Sequence, residues 1–363
     1  MTTAVGSDAA LDTLLLPILD GRLPWPESGA LFLRARYGAA LTRGYFPGLV
    51  CETGFRPEAL SLQGAGFVLG GIERAPPPAT ARYGLVLMLP PRQREEARAL
   101  MARAVAATAP GGRVIACVAN AAGARSSEAD LRKLAGPLET YSKNKCRVFW
   151  SAPLRGSIDP QLAAHWQQLD AVRPIGAGRY LSRPGIFAWD RIDPASALLA
   201  ANLPGDLRGR AADLGCGFGY LSAQVLERCP GVAALDVFDA EQRAVDLARR
   251  NLAQYEARIA INYHWHDVTA GLAHQYDAIV SNPPFHLQQR ADRPDVGRAF
   301  IEAAATALRP GGCLWLVANR HLPYEAALGA SFGRVRIAAQ QDGFKIIEAV
   351  KIPARTPLQR DRR

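Results

Sequence analysis

The sequence is short of lysine, has no paired cysteines and contains no long apolar run, and each shortage removes a class of protein. Only five lysines occur (Lys133, Lys143, Lys145, Lys345 and Lys351), so 38 of the 43 basic residues are arginine. A GC-rich genome produces that bias as readily as selection for phosphate contacts does. The net charge of +10 therefore admits a polyanionic partner without establishing one. The six cysteines (Cys51, Cys117, Cys146, Cys216, Cys229 and Cys313) include no C-x-x-C pair. That spacing argues against a zinc site or a disulfide framework and predicts a reduced, cytoplasmic protein with no metal. No run of ~18 apolar residues occurs, and the N-terminus lacks a basic region followed by an apolar stretch, so neither membrane crossing nor export is expected.

What is present is organised twice over. A chain of 363 residues suits two domains. Tyr83–Pro91 (YGLVLMLPP) resembles Tyr276–Pro284 (YDAIVSNPP), Pro110–Asn120 (PGGRVIACVAN) resembles Pro310–Asn319 (PGGCLWLVAN), and Lys145 falls 200 positions before Lys345. Ordered matches at offsets of 193 to 200 point to duplication of one unit. Short apolar runs such as Leu85–Leu89, Val114–Val118, Ala278–Val280 and Leu314–Ala318 alternate with longer helical patterns, which predicts α/β units with mostly parallel sheets. Between Trp150 and Gly185 the chain is broken by Pro153, Pro160, Pro174, Gly176, Gly178 and Pro184, and the expected division is a first domain over 1–155, a linker region over 156–184, a second domain over 185–352, and a basic disordered tail over 353–363.

In the second half, AADLGCGFGY (Ala211–Tyr220) ends a strand in Asp213 and glycines 215, 217 and 219 just before a helix. Glycine permits a sharp turn and close backbone approach to a ligand. The next strand ends at Asp239, about 20 residues past Gly219, where a carboxylate can accept from both hydroxyls of a ribose. Asp236 competes for that role. Asp267 closes a further strand and is placed to receive an adenine amine. Together these residues favour an adenosine-containing ligand.

Asp277–His286 reads DAIVSNPPFH. Two prolines fix a rigid turn that leaves carbonyl oxygens free, so the Asn282 carboxamide and the Pro283 carbonyl can both accept from one NH₂ group while Phe285 stacks on the ring that carries it. The chemistry this suits is in-line methyl transfer to an exocyclic ring amine, driven by positioning. His286 could relay the released proton, but reads first as a structural or solvent-facing histidine.

These residues resemble the class I S-adenosylmethionine-dependent methyltransferases of the N-P-P-F type, and within them the bacterial ribosomal RNA guanine-N2 methyltransferases of the RsmC family. Matching segments are Pro184-Gly185-Ile186-Phe187, Asn282–His286, Ala318-Asn319 with Leu322-Pro323-Tyr324, and Asn120–Ser126 in the first half. The resemblance implies two tandem Rossmann-like methyltransferase domains, the N-terminal one degenerate and serving RNA docking or support. It implies S-adenosylmethionine as cofactor, contacted by Gly215, Gly217 and Asp239 with Phe187 beside it; Asp213, Gly219 and Asp267 are the further cofactor candidates that the strand and turn pattern offers. Asn282, Pro283, Pro284 and Phe285 would hold a guanine of ribosomal RNA, with a small-subunit nucleotide expected. The charged stretch Gln288–Arg298 departs from the family pattern.

Two other readings use the same residues. A protein glutamine-N5 methyltransferase would suit the Asn-Pro-Pro turn, but Phe285 and the long first half count against it. A noncatalytic RNA-binding assembly factor fits the first half, where Leu89-Pro90-Pro91 stands in place of Asn282-Pro283-Pro284.

Overall fold

The apolar runs become the inner strands of two seven-stranded sheets. This computed structural model describes residues 8–70, 83–284 and 294–352. The first sheet comprises β1 (Ala30–Leu33), β2 (Leu49–Glu52), β3 (Val68–Leu69), β4 (Tyr83–Met88), β5 (Thr108–Ala119), β6 (Leu138–Lys143) and β7 (Cys146–Ser151), in the order β3-β2-β1-β4-β5-β7-β6. A small hairpin of β8 (Arg173–Ile175) and β9 (Tyr180–Ser182) follows. The second sheet comprises β10 (Arg208–Leu214), β11 (Gly231–Asp239), β12 (Ala260–Trp265), β13 (Tyr276–Ser281), β14 (Leu308–Asn319), β15 (Arg334–Gln341) and β16 (Phe344–Val350), in the order β12-β11-β10-β13-β14-β16-β15.

Strand for strand the two orders coincide. In each sheet five strands are parallel and the last two form an antiparallel hairpin. The chain is thus two tandem Rossmann-like units of the methyltransferase type. Finer details repeat as well. The register slips at Tyr83/Leu85 between β4 and β5 and at Tyr276/Ala278 between β13 and β14. Gly111 donates to Leu154 O at 2.6 Å, as Gly311 does to Lys351 O at 2.6 Å. The closing hairpins turn at Asn144-Lys145 (φ 52° and 55°) and at Asp342-Gly343 (φ 50° and 82°), two-residue turns with both residues left-handed, whose twist matches that of the flanking strands.

That last equivalence corrects one expected match. Ala318 pairs with Lys345 where Val118 pairs with Arg147, so Arg147 is the counterpart of Lys345, and Lys145 belongs to the turn. Loop length changes by two residues between the copies, and a fixed offset of 200 crosses that change.

The described residues fall into two compact units, one of residues up to Val172 with Arg183–Gly185, the other of Arg173–Ser182 with those from Ile186 onward. The stretch 156–184 is more than a linker. Pro160 opens a helix, Pro160–Gln167, behind the capping carboxylate of Asp159, because a proline at the first helical position loses no intrahelical hydrogen bond. Trp166 on that helix is buried in the first unit's core. The tail 353–363 and residues 288–293 of the charged stretch lie outside the described residues, while Pro294 begins the helix Pro294–Ala307.

In the second unit the helix Gln242–Leu252 buries Ala244, Val245, Ala248 and Leu252. On its sheet, Leu214, Ile279, Leu314 and Leu316 pack with Ile301, Ala304 and Ala307 of Pro294–Ala307. Burying such a side chain stabilises by about 1.5–3 kcal/mol. This packing fixes the C-terminal ends of β10, β11 and β13, and strand order reverses between β10 and β13, where open α/β sheets leave a crevice.

Candidate active site

At the end of β10 the chain turns through Gly215, Gly217 and Gly219, with φ of 78°, 55° and 90°. Gly215 N and Cys216 N both donate to Phe238 O at 2.9 Å, which ties the turn to β11. At Gly217 a Cβ would meet nothing within 4 Å, so this backbone faces open space; at Gly219 it would lie 3.1 Å from Ala248 Cα, so this glycine serves helix packing. The helix Tyr220–Arg228 starts directly after the turn.

Three acids flank the turn and differ sharply. Asp213 is fully buried; one carboxylate oxygen accepts from Ser222 Oγ at 2.6 Å and the other has no partner. Burial pushes its carboxyl up to about 7, against the pull of Ser222. Asp239, closing β11, accepts from Gly217 N at 2.9 Å and Glu241 N at 2.8 Å. Burial raises it to about 6, assisted by the neighbouring Glu241 charge and opposed by those backbone donors. Asp236 is saturated. Burial would raise it, but donors prevail: Arg210 Nη2 at 2.7 Å, Asn262 Nδ2 at 2.7 Å and Tyr276 Oη at 2.7 Å hold its carboxyl well below the ordinary range. Asp236 is thus a buried structural acid, and Asp239 is the one at the strand end. Asp267 caps the short turn Val268–Ala270, its Oδ1 accepting from Thr269 N at 3.0 Å and Thr269 Oγ1 at 2.7 Å.

β13 runs beside β10 with Ser281 opposite Leu214, and Ser281 Oγ donates to Leu214 O at 2.7 Å. This register sets Asn282 beside Gly215: a Cβ built on Gly215 would lie 3.9 Å from Asn282 O. The glycine turn and the Asn-Pro-Pro turn therefore share one crevice. Pro283 is buried and Pro284 half-buried; Phe285 and His286 lie outside the described residues. Phe187 is exposed at 65%.

Three residues of this region were not among the sequence candidates as site residues. Asn282 Nδ2 donates to Asp193 Oδ2 at 3.0 Å and to Ser196 Oγ at 2.8 Å. Asp193 also caps the helix Pro194–Asn202, accepting from Ser196 N at 2.8 Å. The Asp-Pro-x-Ser pattern signals a helix start in the sequence, but nothing in it points 86 to 89 residues onward. Asn251 holds β9 through Leu181 N (2.8 Å) and Leu181 O (2.9 Å) while donating to Phe218 O of the glycine turn at 2.8 Å.

The first unit carries the degenerate counterpart. Ala35 N donates to Glu52 O at 2.8 Å as Cys216 N does to Phe238 O, so Arg34 stands where Gly215 stands, Arg36 for Gly217 and Thr53 for Asp239. Arg34 keeps a left-handed φ of 53°. Its guanidinium pairs with Glu96 at 2.6 Å, and that of Arg36 with Asp8 at 3.0 Å. Leu89 replaces Asn282.

The profile of the methyltransferase small domain family matches residues 178–348. Ribosomal RNA small subunit methyltransferase C of Pseudomonas aeruginosa is 31% identical over 274 residues, 75% of this chain and 80% of that protein. This chain belongs to that family. Its namesake from Shewanella loihica is 29% identical over 74% of the chain and 78% of the relative; the one from Shewanella piezotolerans is 32% identical over 57% and 59%. Among solved structures, the T. thermophilus 16S rRNA N2 G1207 methyltransferase (RsmC), in complex with AdoMet and guanosine, superposes with a TM-score of 0.76 over 95% of this chain and 92% of that one, at 24% identity. That likeness is one of fold, and it covers both units. Among the described residues no group of three or more His, Cys, Asp or Glu is arranged to hold a metal ion, and no helix is long and apolar enough to cross a membrane.

Proposed function

We propose that the second unit transfers a methyl group from S-adenosylmethionine to the exocyclic N2 amine of a guanine in small-subunit ribosomal RNA, and that the first unit supports it and docks the RNA. The observation that carries this is the adjacency of the glycine turn and Asn282, fixed by the Leu214–Ser281 register.

The residues present fit the cofactor. Asp213 offers a buried carboxylate oxygen with no protein partner, suited to a cationic group. Asp239 uses one acceptor site on each oxygen, and a carboxylate has about four, so two hydroxyls can still be accepted. The open space at Gly217 admits a ligand against the backbone. S-adenosylmethionine, when bound, supplies a methyl group on a sulfonium.

The chain's contribution is orientation. Asn282 Oδ1, the acceptor end of an amide whose Nδ2 is engaged by Asp193 and Ser196, accepts from one hydrogen of the guanine amine, and the Pro283 carbonyl accepts from the other. The lone pair, otherwise delocalised into the ring, is then directed along the line of attack. Bound there, S-adenosylmethionine would yield its methyl to the oriented nitrogen and be left as a neutral thioether, and the amine's surplus proton would pass to water. Phe285 is assigned the stacking role, and Gly215, Gly219, Asp267, Pro284 and Phe187 the border of the site.

Incubating the protein and labelled cofactor with small subunits from cells lacking the gene, then mapping the modified nucleotide, tests this. Label on guanine N2 is the expected result; label on protein, or none, refutes it.

A further inference from the structure

We infer that Asp193 and Ser196 are positioning residues for the methyl transfer, acting by fixing which end of the Asn282 carboxamide meets the reacting amine. This rests on the reading of Asn282 as the amine's acceptor.

A primary amide is nearly symmetric in shape, and a half-turn exchanges its acceptor for its donor. Were Nδ2 turned toward the crevice, a donor would face a donor and the amine could not be held. The protein blocks that turn. Asn282 Nδ2 lies between Asp193 Oδ2 (3.0 Å) and Ser196 Oγ (2.8 Å). A carboxylate only accepts, so the flipped amide would set Oδ1 against a charged oxygen in a half-buried place. Asp193 is itself immobilised by the Ser196 N–H at 2.8 Å and by its place at the start of Pro194–Asn202, and Ser196 is 8% exposed.

The first unit supplies an independent comparison. Its helix Ala9–Leu19 precedes β1 as Pro194–Asn202 precedes β10, and Asp8 caps it as Asp193 caps the other. The third residue after the capping acid is Leu11 in the first unit and Ser196 in the second. The residue after the β4 or β13 strand is Leu89 in the first and Asn282 in the second. Leu11 and Leu89 are both buried in one apolar cluster. The capping acid is therefore common to both units, while hydroxyl and carboxamide are present together or absent together. A cap alone does not require Ser196; holding an amide does.

The test uses the full chain in single-turnover methylation of unmodified small subunits at saturating cofactor, with Ser196→Ala, Asp193→Ser, Asn282→Ala and the Ser196→Ala/Asn282→Ala double variant. One oxygen, Asp193 Oδ2, accepts from both Ser196 N and Asn282 Nδ2, so asparagine would keep both contacts; serine also caps helices well but its shorter hydroxyl can donate as readily as accept, so Asp193→Ser preserves the helix start while no longer distinguishing the ends of the amide. Both single variants at 193 and 196 should slow transfer by about ten- to hundred-fold, with cofactor affinity and half-saturating subunit concentration within about threefold of wild type. Adding Ser196→Ala to Asn282→Ala should slow it no further. Wild-type rates for both Ser196→Ala and Asp193→Ser, with Asn282→Ala inactive, would overturn this inference and leave the proposed function standing. Full, multiplicative slowing in the double variant would also overturn it, since Ser196 would then act elsewhere. A normal rate for Asn282→Ala would remove the reading beneath it.

Discussion

Asp213 should hold the second unit back at neutral pH, and replacing it should show this directly. Its carboxyl is fully buried, one oxygen is unpartnered, and burial lifts it from 3.8 to about 7. Each pH unit of displacement corresponds to about 1.4 kcal/mol, so holding this group ionised at pH 8 costs the free protein up to about 4 kcal/mol. The sign follows from linkage: a carboxyl raised in the folded state contributes stability that is full below its unfolded value and is lost as pH rises through about 7. Asp213→Asn removes the charge but puts an NH₂ group where the unpartnered oxygen sits, which costs about 1–3 kcal/mol. The balance predicts a variant more stable than wild type by about 1–3 kcal/mol at pH 8, and a difference about 3 kcal/mol less favourable to the variant at pH 5, where folded Asp213 is neutral while the unfolded carboxyl is still ionised. Urea unfolding of both proteins at the two pH values, read by tryptophan fluorescence, is the measurement. Cofactor binding by calorimetry should fall by at least about tenfold in the same variant, because an unpaired buried carboxylate awaits a cation. A stability difference independent of pH would refute this account of Asp213.

Cofactor binding should release protons between pH 6 and 7.5, since Asp213 and Asp239, raised to about 7 and about 6, are needed ionised; calorimetry in buffers of different ionisation enthalpy reads this, and proton uptake would contradict it. Asn251→Ala removes three hydrogen bonds that join β9 to the glycine turn, so the second unit should lose about 2–4 kcal/mol in chemical unfolding and bind cofactor more weakly. Gly217→Ala should cost only about 1 kcal/mol of stability, because its Cβ meets nothing, yet should weaken cofactor binding more than that strain alone explains, the added methyl standing where the ligand approaches.

The parts of this molecule that were legible in sequence are those that chemistry writes locally. Apolar runs of three to five residues mark strands buried on both faces, and Leu85–Leu89 and Ala278–Val280 became the inner strands β4 and β13. Glycines 215, 217 and 219 announce a turn because each adopts a left-handed conformation. Asp239 is preferred to Asp236 from its position at a strand end, whereas the saturation of Asp236 by Arg210, Asn262 and Tyr276 depends on long-range contacts. Long-range contacts were not legible. Asp193 and Ser196 read only as a helix start, since their link to Asn282 depends on how a helix end meets a strand end. Pro160 was read as an interruption because a proline looks the same whether it ends a helix or begins one. Lys145 and Lys345 looked equivalent because a constant offset ignores a change of loop length.

Arg34 bears on the history of the chain. A residue with a Cβ at φ 53° is about 1–2 kcal/mol less comfortable than glycine, and neither of the two ion pairs around it needs that backbone shape. The turn is instead the shape the ends of β1 and β2 impose, and it is the shape of a glycine turn that cradles a ligand. At these strand ends the first unit keeps the backbone shape of the glycine turn while carrying different side chains on it. Arginine took over two glycine positions, acids already nearby neutralised the new charges, and leucines filled the place of the amide and its hydroxyl. The first unit preserves the outline of an ancestral active site as a cast preserves a mould, and the shortest path back to that ancestor runs through positions 34, 36, 53 and 89.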